Sequence, residues 1–251
     1  MIHLKSPREI EIMARGGAIL AATHAALRAE LRPGLTTADL DRVAEDFIRS
    51  HDGAVPAFKG LYGFPGAICI SVNEEIVHGI PSRKRVLAEG DIVTFDIGVK
   101  FEGYYTDAAV THPVGEVDAE TRRLLDVTER SLMAGIEAAV VGNHIGDVGF
   151  AIESVILPEG FGIVRDLVGH GVGSGPHEEP QVPNFGKPKR GPKIAAGLTI
   201  AIEPMVNVGT EKTRTLRDKW TVVTADGKRS AHFEHTIAVT DAGPRILTQL
   251  A

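Results

Sequence analysis

Two parts of the chain repeat each other at a nearly fixed distance. Gly34, Asp39, Glu45 and Ile48 return 108 residues later as Gly142, Asp147, Glu153 and Ile156, and Gly90 and Asp96 return 107 residues later as Gly197 and Glu203. An offset that holds across a helical and a strand segment predicts an internal duplication. Each copy reads as two helices followed by strands. The expected fold class is therefore α+β, with pseudo-twofold duplicated halves, joined sheets at the centre and helices outside. The chain is read as one domain, 1–251, with halves of about 1–115 and 116–251, and the repeat makes Asp96 and Glu203 symmetry mates near the middle.

Local signals fill in the halves. Ser6-Pro7-Arg8-Glu9 predicts a helix start with a capping box and proline at the first helical position. Ile10, Met13, Gly17, Leu20 and His24 follow at helical spacing, and Pro33-Gly34 stops the helix. A second helix is expected from about Thr37 to Ser50. Asp118 reads as the cap of a third, running to about Val141, and a fourth from about Ile145 to Leu157. Strands are expected at 67–72, 162–167, 198–205, 220–225 and 233–240.

The stretch from Gly90 to Thr111 reads as a β-hairpin rich in Ile, Val, Phe, Tyr and Thr. With the turn centred on Phe101 and Glu102, Asp96 and Asp107 face each other across the ladder. Directly opposed like charges repel, and burying them is costly unless a cation lies between them. This predicts a metal site. Glu203 in T-I-A-I-E-P-M, Glu234 in H-F-E-H-T-I-A-V and His170 in G-H-G-V-G supply further donors. Any one of these alone reads as a solvated strand charge or a turn histidine. Four carboxylates interrupting apolar strands, with one imidazole, form a coherent dinuclear set for Mn, Fe, Co or Zn. His78 and His177 lie in Gly/Pro loops near these segments and are candidates for substrate contact.

Other chemistries lack their motifs. G-x-S-x-G, G-x-G-x-x-G, the P-loop and H-E-x-x-H are all absent. The single cysteine, Cys69, excludes an internal disulfide and a Cys-rich zinc site. A net charge of −6 argues against specific nucleic-acid binding. No apolar run has the roughly 18–20 residues of a membrane span, and the N-terminus shows no signal core, so the expected location is cytoplasmic. Lys187 to Lys193, K-P-K-R-G-P-K, reads as a solvated loop, with a transient ribosome contact as the alternative.

At V-H-G-I-P, D-I-V-T-F-D, Y-T-D-A-A, G-H-G-V-G, P-H-E-E-P-Q-V, I-E-P-M-V and E-H-T-I-A-V-T the chain closely resembles type I methionine aminopeptidases, over essentially its whole length. The resemblance implies the pita-bread fold, a central curved antiparallel sheet flanked by helices. It also implies two divalent metal ions (Co, Mn, Fe or Zn) on Asp96, Asp107, His170, Glu203 and Glu234. His78 and His177 would contact the scissile amide, and Glu203 would carry the proton from water to the leaving amine. The methionine pocket would be lined by Phe58, Leu61, Tyr62, Phe64, Pro176 and Trp220; without the resemblance, Trp220 reads as a core residue. Leu61 stands where the family commonly has Tyr, and Pro176 where it commonly has Phe. The implied activity is removal of the N-terminal methionine from nascent polypeptides, with a small second residue preferred, by a monomer. The alternatives are an X-Pro aminopeptidase or prolidase of the same fold and a non-catalytic binding relative. The chain has no room for the extra N-terminal domain of prolidase-like relatives.

Overall fold

A computed structural model describes residues 2–249, so the outer bounds of the single-domain reading, 1 and 251, lie outside the described residues. Helix α1 spans Pro7–Glu30 and α2 Thr37–Arg49; α3 spans Ala119–Ala138 and α4 Ile145–Ile156. The first helix pair is followed by β1 (Ala54–Pro56), β2 (Cys69–Val72), β3 (Glu75–Val77), β4 (Ile92–Phe101) and β5 (Tyr104–Pro113). The second is followed by β6 (Gly162–Ile163), β7 (Gly169–Gly171), β8 (Glu178–Val182), β9 (Thr199–Ile202), β10 (Met205–Asn207), β11 (Thr213–Thr215), β12 (Val222–Thr224), β13 (Ser230–His232), β14 (His235–Thr240) and β15 (Gly243–Ile246).

The repeated residues have structural reasons to repeat. Gly34 and Gly142 carry φ of 90° and 97° in the turn before the second helix of each half, where a side chain would be strained. Asp39 and Asp147 then sit three residues past the helix caps, accepting the backbone N–H of Thr36 at 3.2 Å and of His144 at 2.7 Å. Ile48 and Ile156 are fully buried. The α1 start has the expected capping box: Glu9 N–H donates to Ser6 Oγ at 3.4 Å and Ser6 N–H to Glu9 Oε2 at 2.7 Å. Asp118 caps α3 by accepting Thr121 N–H at 2.7 Å.

One apolar cluster joins α1 and α2 to the β4–β5 hairpin through Leu20, Leu40, Ile48, Phe95 and Ile97. A second joins α3 and α4 to β9 and β14 through Leu124, Leu132, Ile152, Ile200 and Ile237. Strand β4 pairs with β1, β2 and β5, and the second half builds the sheet β15-β14-β9-β7-β8. The halves meet where β5 passes the start of β14. There Glu234 N–H donates to Ala109 O at 2.8 Å and Ala109 N–H to Glu234 O at 3.3 Å.

The hairpin register differs from the sequence expectation. Phe101 pairs with Tyr104, so the two-residue turn is Glu102-Gly103, and Asp96 faces Ala109 while Asp107 faces Gly98. Both turn residues have positive φ, 47° and 91°, the backbone of a tight hairpin turn that follows strand twist. The slip moves the facing pairs by two positions and so preserves which side chains share a face. Asp96 and Asp107 are diagonal neighbours on one face, not directly opposed. Several expected strands are shorter: 162–167 contracts to Gly162–Ile163, and Pro204 breaks 198–205 into β9 and β10.

Candidate metal centre

Glu203 and Glu234 both lie at strand breaks, between β9 and β10 and between β13 and β14. Their side chains face the hairpin aspartates there, at the junction of the halves. Asp107, His170 and Glu234 each offer one ligand atom within 4.8 Å of the others. His170 Nε2 lies 3.6 Å from Glu203 Oε1 and 4.0 Å from Asp107 Oδ2. The Asp96 and Asp107 carboxyls are close enough to perturb each other's ionisation. All five residues line one cavity of about 280 Å³.

The positions are over-determined by backbone contacts. Thr236 Oγ1 accepts Asp107 N–H at 2.9 Å and donates to Asp107 O at 2.7 Å. Asn184 Nδ2 donates to Glu203 O at 3.0 Å. His170 Nδ1 pairs with Gly171 O at 2.9 Å; donation there leaves Nε2 bare toward the carboxylates.

The electrostatics call for a cation. Burial pushes the Asp96 carboxyl up to about 7. Burial, reinforced by Asp96 and Glu203, holds Asp107 well above the usual carboxylate range. Glu203 and Glu234 are raised well above it by burial and by the neighbouring carboxylates. Burial lowers His170 to about 4, so it is a neutral donor at neutral pH. Asp107 Oδ1 and Glu234 Oε1 are buried with no hydrogen-bond partner among the described residues. Hard oxygens and one neutral imidazole, crowded and partly unsatisfied, fit divalent metal ions.

Phe58, Leu61, Tyr62, Phe64 and Trp220 line the apolar side of the same cavity, as do Cys69, Val77, Leu167 and Met205. Phe64 and Trp220 meet edge to face, centroids 5.2 Å apart. Pro176 is not among the lining residues: the chain returns to the sheet at Glu178, and His177 is the loop residue that reaches the cavity. His177 is exposed at the mouth, its ring 4.5 Å from that of His170 and stacked on Tyr62 at 6.2 Å. His78 lines the same cavity, edge-on to Trp220 at 6.5 Å, and its φ of 58° marks backbone strain held at the site.

Sequence reasoning missed Cys69 and His232. Cys69 pairs with Asp96 across β2 and β4, a placement set by long-range register. His232 stands two residues before Glu234, and period-two alternation was the available signal.

A sequence model of metallopeptidase family M24 matches residues 11–241. The chain belongs to metallopeptidase family M24. Among its M24 relatives, methionine aminopeptidase 1 of Bacillus subtilis is 50% identical, with 100% of each chain covered. A methionine aminopeptidase of Clostridium perfringens is 52% identical, with 99% of each covered. The crystal structure of a methionine aminopeptidase from Thermotoga maritima superposes with a TM-score of 0.97 at 44% identity, covering 99% of this chain and 100% of that one. A Pyrococcus horikoshii prolidase shares the fold at a TM-score of 0.80 and 23% identity, and this chain spans 64% of it. The M24 fold of these structures is the pita-bread arrangement that the resemblance implies, with the pseudo-twofold halves expected from the repeat.

Proposed function

We propose that this M24 enzyme removes the N-terminal methionine from polypeptides by metal-dependent hydrolysis. The observation that carries this reading is a largely buried cluster of four carboxylates and a neutral imidazole lining an otherwise mostly apolar cavity. The chain that builds it is about half identical, end to end, to methionine aminopeptidases. Residues 1–251 act as one catalytic domain, the first half giving Asp96 and Asp107 and the second His170, Glu203 and Glu234.

These five residues would hold two divalent ions, of Co, Mn, Fe or Zn type. When bound, such ions polarise the scissile carbonyl and lower the pKa of water toward ~7. Glu203, a buried carboxylate beside the attack position, takes the proton from water and returns it to the leaving amine. His177, at the mouth, donates to the developing oxyanion, and His78 in the same cavity holds the scissile amide. Phe58, Leu61, Phe64 and Trp220, with Tyr62 at the rim, receive the methionine side chain. Leu61 leaves the pocket apolar in place of the tyrosine common in the family.

The substrates are nascent polypeptides with a small second residue, acted on in the cytoplasm by a monomer. Among the described residues no helix is long and apolar enough to cross a membrane. Lys187 to Lys193 are all exposed and suit a transient ribosome contact.

Dialysis against a chelator followed by assay on Met-Ala-Ser tests the reading. Activity should vanish and return with Co, Mn or Fe, and Ala-Pro peptides should be poor substrates. Methionine release that survives complete metal removal, or a preference for the Ala-Pro peptides, overturns it.

A further inference from the structure

His232 has no role in the scheme above. It closes β13, and its backbone is pinned: its N–H donates to Thr111 Oγ1 at 2.9 Å and its carbonyl accepts from that hydroxyl at 2.8 Å. The side chain lines the metal cavity, yet the residue is only 2% exposed. Neither ring nitrogen has a hydrogen-bond partner among the described residues. A buried imidazole left so costs stability unless something in the site uses it.

What it faces is specific. His232 Nε2 lies 3.7 Å from Glu203 Oε2 and 3.9 Å from Glu234 Oε2. Glu203 turns its other oxygen, Oε1, to His170 at 3.6 Å. The Glu203 carboxylate thus has an imidazole on each side. The two imidazoles are not equivalent: His170 Nδ1 pairs with Gly171 O at 2.9 Å, while His232 has neither nitrogen paired. His232 sits in the cavity wall beside Glu203 and Glu234, where an N–H donor can hold a metal-binding carboxylate in place.

We propose that His232 is a positioning residue whose Nε2–H donates to Glu203 Oε2, setting Oε1 toward the metal and the returning proton. The 3.7 Å gap is longer than a hydrogen bond, and a small rotation of the Glu203 carboxylate closes it. The inference rests on Glu203 acting as ligand and proton carrier. It adds an unassigned residue that governs both tasks through one oxygen.

The test uses the full-length enzyme with ¹⁵N-labelled histidine, the variants His232→Leu and His232→Gln, and Zn²⁺ as the probe ion. In the Zn²⁺-loaded wild type, His232 should show a protonated Nε2 by its one-bond N–H coupling. His232→Leu should lower kcat on Met-Ala-Ser at least tenfold in the Co²⁺ form, with KM changed by less than about twofold, and weaken Zn²⁺ binding about 10–100-fold. His232→Gln, which keeps an N–H donor, should recover most of both losses. A bare Nε2 shifted by Zn²⁺ overturns the proposal by making His232 a ligand. So does a Leu variant with wild-type kcat and affinity, or a Gln variant no better than Leu. If the Leu variant does not fold, the wild-type spectrum and the Gln variant still decide. Failure of the parent reading looks different: the wild type itself then binds no Zn²⁺, or releases no methionine with any metal.

Discussion

Gly98 shows how one missing side chain shapes the site. It faces Asp107 across the hairpin, and a Cβ there would lie 2.6 Å from Phe58 Cε1 and 2.9 Å from Ala57 Cβ. Phe58 can rest on the strand only because that position is bare. Gly98→Ala should push the ring into the cavity at a cost of about 1–3 kcal/mol in stability. KM for Met-Ala-Ser should rise about tenfold with kcat changed far less. An unchanged KM in steady-state assays would remove Phe58 from the methionine pocket. His24 makes a pH prediction. Its ring is buried, pairs through Nε2 with Ala108 O at 3.1 Å, and is lowered to about 3 mainly by burial. The unfolded chain takes up its proton near 6.5 and the folded chain only near 3, so in that window the unfolded state binds more protons. Folding stability then falls as pH drops from 6.5 toward 3, by up to about 1.4 kcal/mol per pH unit for this one group. Urea unfolding of His24→Gln between pH 7 and pH 5 should show a shallower loss than wild type; an equal slope would mean that His24 is not the group responsible.

At the scale of elements, the segment before α1 is tied to the loop that carries His177. Lys5 Nζ donates to Glu178 Oε2, and their side chains are 5% and 9% exposed. Glu178 Oε1 also accepts from Ser174 Oγ and Gly175 N–H, both at 3.0 Å, so this carboxylate folds residues 174–178 around itself. Removing one partner of a buried pair strands the other charge, at about 3–5 kcal/mol. Lys5→Met should therefore lower the thermal midpoint and kcat together, through His177. In a double-mutant cycle with His177→Ala the two losses in kcat should fail to add; full additivity would mean that Lys5 acts on stability alone. Much of this layout was legible in the chain. The capping box at Ser6, the cap at Asp118, and the Gly and Asp pairs of the repeat are local chemistry, and they mark where the helices start. The duplication put Asp96 and Glu203 together at the centre. What sequence could not supply was long-range. The hairpin register turned on whether Glu102 would adopt positive φ, which glutamate rarely does. Pro176 is not among the residues that line the cavity, whereas its neighbour His177 is. His232 was passed over because a histidine two residues from a ligand reads as a core residue until its empty nitrogens are seen.

On the scale of the whole molecule, the centre exists only where the two halves touch. The β5–β14 contact joins them through the paired backbones of Ala109 and Glu234 and through Thr236 on Asp107. Arg229 adds a cross-tie, donating to Gly90 O at 2.7 Å and to Asp118 at 3.1 Å. The carboxylates from both sides repel one another in the absence of a cation: burial raises Asp107, and Asp96 and Glu203 raise it further. Ions at the junction therefore stabilise the docking of the halves rather than either half alone. Metal at 100 times its dissociation constant should raise folding stability by about 2.7 kcal/mol per site, and calorimetry should show a single transition that moves up on loading. Because each half lacks the other's ligands, residues 1–115 alone should bind no divalent ion at micromolar concentration, having only Asp96 and Asp107. Two resolved transitions with only the second shifted by metal would place the site within one half. An unchanged midpoint on chelation would mean that the carboxylate cluster is not what the ions hold together.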